Sequence, residues 1–189
     1  MTTPDDFRPL WRAALIAPEV ERPGAVDALL NEVRRVYANG GAEFFAFRVP
    51  EPCLFRPTQA TIDHVDEYFR EFLQVPAVQQ SLRAVRATDP LAQAPEIYSG
   101  SAFTLDGELA RLLVLGGAYQ RFEGAPRAAK ELAAGFCDAV FGDRYMDIDL
   151  FYSPTPWSRW FRDIAWDNTW FGLDRGLSRL WMLCTTDTD

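Results

Sequence analysis

The hydrophobic repeat changes period partway along the chain, and this change limits the fold more than any other feature. Up to Gly142 the apolar residues mostly recur at helical spacing, and beyond it they alternate. Phe7, Leu10, Trp11, Ala14 and Leu15 form one helical face, and Asp5 and Asp6 sit where carboxylates meet free N–H groups. Val26, Leu29, Leu30, Val33 and Val36 repeat the pattern until Asn39, Gly40 and Gly41 stop it. Thr58 or Thr61 opens a third helix, with Ile62, Val65, Phe69, Phe72 and Leu73 inward and Asp63, Asp66, Glu67 and Arg70 outward. Pro76 begins a fourth, running to about Ala87 with Val78, Leu82 and Val85 on its apolar side. A further helix runs from Pro126 to Phe141, with Ala129, Leu132, Ala133, Phe136, Cys137 and Val140 buried.

Strand signals are fewer but concentrated. Residues 43–49 are short, aromatic and β-prone, and Pro50 and Pro52 end them. Residues 146–152 alternate, with Met146, Ile148 and Leu150 on one face and Asp147 and Asp149 on the other. Residues 163–171 and 177–185 read as two more strands joined by a turn at 173–176, with Trp166 and Trp181 in the core of that hairpin. Residues 88–101 read as a loop, the best candidate for a mobile connection. Residues 101–115 admit two readings. Asp106 and Gly107 suit a hairpin, while Leu109, Leu112 and Leu113 behind Thr104 suit a helix, which the helix-forming composition favours.

The expected class is therefore α+β. N-terminal helices cover one face of a C-terminal antiparallel sheet, a three-stranded meander that strand 43–49 can extend. Residues 1–189 form one domain, because the helices alone would leave large apolar faces bare.

Charge and composition narrow the function. The formal net charge is −8, from 19 basic and 27 acidic residues, and the basic residues do not cluster. Such a surface repels nucleic acid and anionic lipid. Lys130 is the sole lysine, and the reliance on arginine fits a GC-rich, bacterial coding bias. No apolar run is long enough to span a bilayer, and the residues after Met1 lack a signal-peptide pattern. Cys53, Cys137 and Cys184 are odd in number and scattered, which points to reduced thiols in a cytoplasmic protein. A single histidine, His64, excludes a His-rich metal site, and no Gly-rich phosphate loop or nucleophile elbow occurs. No metal and no cofactor is expected.

The densest unusual chemistry lies near the C-terminus. Five of the six tryptophans fall between Trp157 and Trp181, interleaved with carboxylates. Strand alternation places Trp166 and Trp170 together, and Asp163 and Asp167 together, with Asp187 and Asp189 at the end of the hairpin partner. The candidate binding residues are Trp157, Trp160, Asp163, Asp167, Asp187 and Asp189. As a surface they suit a non-enzymatic binding protein for a basic protein partner, like an immunity protein or antitoxin. The alternative is an enzyme or small-molecule binder using an aromatic pocket with Asp163, Asp167 and Asp187, with or without a divalent cation.

Overall fold

The computed structural model of this chain describes residues 4–50, 64–87 and 95–189. The expected helix start at Thr58 or Thr61, Ile62, Asp63, Pro52, Cys53 and residues 88–94 of the expected loop lie outside these residues. Six α-helices and six strands are described: α1 (Pro4–Ala13), β1 (Ala17–Pro18), α2 (Gly24–Val36), β2 (Gly41–Arg48), α3 (Val65–Leu73), α4 (Pro76–Ser81), β3 (Tyr98–Ser99), α5 (Leu105–Leu115), α6 (Pro126–Val140), β4 (Ile148–Ser153), β5 (Asn168–Asp174) and β6 (Arg179–Thr186). Short 3₁₀ turns follow α4 at Leu82–Val85 and precede β4 at Tyr145–Asp147.

The strands form one open antiparallel sheet in the order β1-β2-β6-β5-β4-β3. The β4-β5-β6 meander is present. The sheet is larger than that meander, because β2 pairs along the full length of β6, from Gly41 opposite Thr186 to Arg48 opposite Arg179. The 101–115 segment resolves as a helix, α5, from Leu105 to Leu115 after a turn at 102–104. The expected 88–101 loop instead ends in β3, which pairs with β4 through Tyr98 opposite Tyr152.

Helices cover both faces of the sheet, not one. On one side α2, α5 and α6 pack against Phe44, Ile148, Leu150, Trp170, Trp181 and Leu183. On the other, α1, α3 and α4 pack with Trp157 and Phe161 against Phe47, Phe151, Phe171, Leu180 and Met182. The reason lies in β6, every residue of which is buried. Its run Leu180–Cys184 has no polar side to give to water, so both faces need cover.

The centre of the sheet is set by one close approach. Gly172 faces Trp181 across β5 and β6, and a Cβ at Gly172 would collide with the indole ring. The ring occupies the space a side chain would take. Phe44, Phe136 and Phe141 then approach it at 6.2, 6.3 and 6.4 Å between centroids.

Several expected positions move. Residues 163–167 form a turn, not strand, so β5 begins only at Asn168. The Asp167 carboxylate accepts the N–H groups of Arg162, Asp163 and Ile164, at 3.0, 2.6 and 3.1 Å, and these bonds bend the chain there. Asp163 takes φ of 61° within that turn. Trp166 accordingly precedes the strand and is half-buried. The β5–β6 connection spans residues 175–178, two residues later than expected, after the Asp174–Arg179 pair. Asp147 lies in the 3₁₀ turn instead of on a strand face, and Met146, expected inward, is 76% exposed. Leu15 lies past the end of α1 and is likewise exposed.

Replacing Trp181 with alanine should cost about 3–5 kcal/mol, since the indole is wholly buried. Gly172→Ala adds one methyl and should cost about 1–3 kcal/mol through overpacking. Urea denaturation measures both, and a loss below about 1 kcal/mol for Trp181→Ala would contradict this packing.

Candidate functional site

The sequence-predicted residues part company in the structure. Trp157 is buried, donates its indole N–H to Thr169 Oγ1 at 3.0 Å and packs edge-on to Phe161. Trp160 is half-buried against the same phenylalanine. Asp163 and Asp189 are exposed. Asp167 is 1% exposed; besides holding its turn it accepts the hydroxyl of Thr186. Asp187 is equally buried, with Oδ1 accepting the Asn39 N–H at 3.0 Å and Oδ2 the Ala118 N–H at 2.8 Å. Gly117 permits the second contact, because a Cβ there would collide with the Asp187 carboxylate and the Val36 carbonyl. Asp167 and Asp187 therefore fasten loops to the end of β6. No group of three or more His, Cys, Asp or Glu side chains that could hold a metal occurs among the described residues. His64 stands at the start of α3, exposed, with Nδ1 3.4 Å from Glu67.

Concavity lies elsewhere. A cleft of about 600 Å³ opens between α5 and the β4–β5 end of the sheet, lined by Tyr37, Glu108, Arg111, Tyr152, Trp166, Asn168 and Trp170 among others. Trp166 and Trp170 do meet here, although a turn and a strand supply them, not one strand face. The floor is tied together by hydrogen bonds. Tyr152 donates to Asn168 Oδ1 at 2.6 Å, and Asn168 Nδ2 donates to the Trp166 carbonyl at 3.0 Å. On α5, Glu108 accepts the Trp170 indole N–H at 3.3 Å through Oε2 and the Thr104 hydroxyl at 2.9 Å through Oε1. Burial raises the pKa of Tyr152 above the usual phenol range; Glu108 raises it further and Arg111 opposes. Tyr37 is raised too, by burial first and then by Asp187 and Tyr152. Both phenols therefore stay protonated at neutral pH.

A second, smaller cleft of about 330 Å³ adjoins the first at Ser99 and Gly100. Phe103, Tyr145, Met146, Ile148 and Asp149 line it. Phe103 stacks on Tyr145 with centroids 5.1 Å apart, and Phe103 and Met146 are 63% and 76% exposed. Burial, then Cys137 and the charges of Asp138, Asp106 and Asp143, raise the Tyr145 pKa. Lys130 holds Asp106 at 2.7 Å, whereas Asp138, Asp143 and Asp147 carry no ion pair among the described residues.

These clefts draw on residues that sequence reasoning missed. Glu108 and Arg111 lie in the 101–115 segment, for which the sequence offered only a choice of helix or hairpin, and Met146 was expected inward. Only the Trp166–Trp170 pairing signalled the larger cleft in advance.

No family model, curated protein or solved structure matches the chain. No described helix is long and apolar enough to cross a membrane.

Two checks follow from these placements. Asp187→Ala leaves two backbone N–H groups without their acceptor and should cost about 3 kcal/mol, whereas Asp163→Asn should stay within about 0.5 kcal/mol of wild type in urea denaturation. Burial pushes the Cys137 thiol up to about 12, and burial raises Cys184 as well. A raised thiol pKa means little thiolate at pH 8, so neither cysteine should take up iodoacetamide in the native protein. Peptide mass mapping reads this directly, and rapid labelling of either residue would refute it.

Proposed function

We propose that the protein is a non-enzymatic binding protein for a basic protein partner, acting as an immunity protein or antitoxin does. One observation supports the reading above the rest. Two of its most exposed large apolar side chains, Phe103 and Met146, flank Tyr145, on which the charges of Asp138 and Asp143 act, and neither carboxylate has an ion pair among the described residues. An exposed aromatic with an apolar neighbour supplies contact area for affinity. Asp138, Asp143 and Asp147, without an ion pair among the described residues, supply attraction for cationic side chains, and the net charge of −8 extends that attraction over distance. The Phe103–Tyr145 stack also offers a ring face to an incoming arginine.

The arrangement favours binding over turnover. Glu108, the carboxylate in the larger cleft, has both oxygens engaged by Thr104 and Trp170. His64 lies on α3, against the opposite face of the sheet from α5. Asp167 and Asp187, candidates from the sequence, are occupied in holding loops, so the acidic recognition surface passes to Asp138, Asp143 and Asp147.

The test is affinity capture from the native host with wild-type bait and with bait carrying Phe103→Ser and Met146→Ser. Both positions are exposed, so the double variant keeps the wild-type Tm. Wild-type bait should retain a basic partner in about 0.15 M salt and release most of it in about 0.5 M. The double variant should retain at least about tenfold less. Equal retention by both baits, or a partner that is not basic, would refute the assignment.

A further inference from the structure

We infer that the larger cleft, between α5 and the β4–β5 end of the sheet, binds a small planar anion, with its ring against Trp166 and Tyr152 and its carboxylate or phosphate on Arg111. This does not depend on the partner-binding reading, which rests on different side chains.

Size and lining come first. About 600 Å³ accommodates a one- or two-ring molecule with a charged substituent. Trp166 and Tyr152, both half-buried, give ring surface to the wall, and the buried Trp170 backs Tyr152 at 5.6 Å, tilted. Flat rings stack on such walls whatever their substituents. The aromatics are also held in place before any ligand arrives. Glu108 fixes Trp170, Asn168 fixes the Trp166 backbone, and Tyr152 fixes Asn168. A site ordered in advance loses less entropy on binding.

The charge at the mouth selects the sign of the ligand. Glu108 and Arg111 are one helical turn apart and would ordinarily pair with each other. They do not, because Glu108 is drawn down to Trp170 and Thr104. Arg111 is left with no ion pair among the described residues, exposed, and close enough to Tyr152 to lower its pKa. A guanidinium beside aromatic walls presents a planar donor fork to a carboxylate or a phosphate. A cationic ligand would instead face an uncompensated arginine and a carboxylate whose oxygens are already engaged.

Isothermal titration with the whole protein separates the contributions of ring and anion. Indole-3-acetate carries a ring and a carboxylate, and AMP carries a ring and a phosphate. Indole and adenosine are the rings alone, and acetate and inorganic phosphate the anions alone. We expect indole-3-acetate or AMP to bind with a Kd below about 1 mM, at least about tenfold tighter than its ring or its anion alone. Whichever binds more tightly identifies the anion as carboxylate or phosphate. Arg111→Gln, on the exposed side of α5, leaves the Tm unchanged and should weaken that binding about tenfold. Trp166→Ala should weaken the ring-only probe as well. The inference is overturned if neither ring–anion probe binds below about 1 mM, or if Arg111→Gln binds as wild type does. Partner capture by the Arg111→Gln bait, expected to be unchanged, keeps this result separate from the fate of the partner-binding reading.

Discussion

A tryptophan lying across a glycine at the middle of the sheet sets the terms for the rest of the fold. Trp181 takes the space above Gly172 and becomes the floor on which Phe44, Phe136 and Phe141 meet. Phe136 belongs to α6 and Phe141 follows it directly, so the longest described helix is seated by the same ring. The arrangement tolerates little change at either position. A larger residue at 172 lifts the ring, and a smaller residue at 181 leaves a cavity that α6 cannot fill. The indole N–H has no hydrogen-bond partner among the described residues, a cost that the ring's packing offsets.

Around this centre, buried carboxylates hold the loops. Asp167 shapes the turn before β5, and Asp187 joins the loops after α2 and α5 to the end of β6. Asp174, fully buried, pairs with Arg144 at 2.9 Å and accepts the Leu177 N–H at 3.1 Å in the β5–β6 turn. A buried carboxylate is stabilised only if its oxygens find donors, and here the donors are mostly backbone N–H groups of loops. The loops therefore have fixed shapes, which lets the turn residue Trp166 line a cleft with side chains from β4, β5 and α5.

Much of the fold was legible in the sequence. The apolar stripes of α2 and α6 placed those helices closely, and strand 43–49 and the β5–β6 hairpin followed from local composition. What escaped was decided at long range. β1 and β3 contain two residues each and carry no period of their own; their partners define them. Two-sided burial was in fact written in Leu180–Cys184, a continuous apolar run that alternation alone cannot explain. The 163–167 segment has strand-like residues, but a side-chain carboxylate took up the backbone N–H groups that a sheet would have used. The site was less legible still. Carboxylate spacing says nothing of whether an aspartate faces water or a loop, and Glu108, Arg111, Tyr152 and Asn168 come from three distant segments.

The pairing of β2 with β6 also governs when the protein can acquire its structure. Residues 41–48 find no neighbour on that side until residues 179–186 exist, and the tryptophan that seats α6 belongs to the later strand. During synthesis α2, α5 and α6 emerge with their apolar stripes uncovered. Sheet closure must wait for nearly the whole described chain and then bring together its most distant parts. Closing so long a loop makes for slow folding, with apolar surface exposed in the meantime. Once folded, the chain no longer presents those stripes, because β6 sits between β2 and β5 in the interior of the sheet, not at its margin.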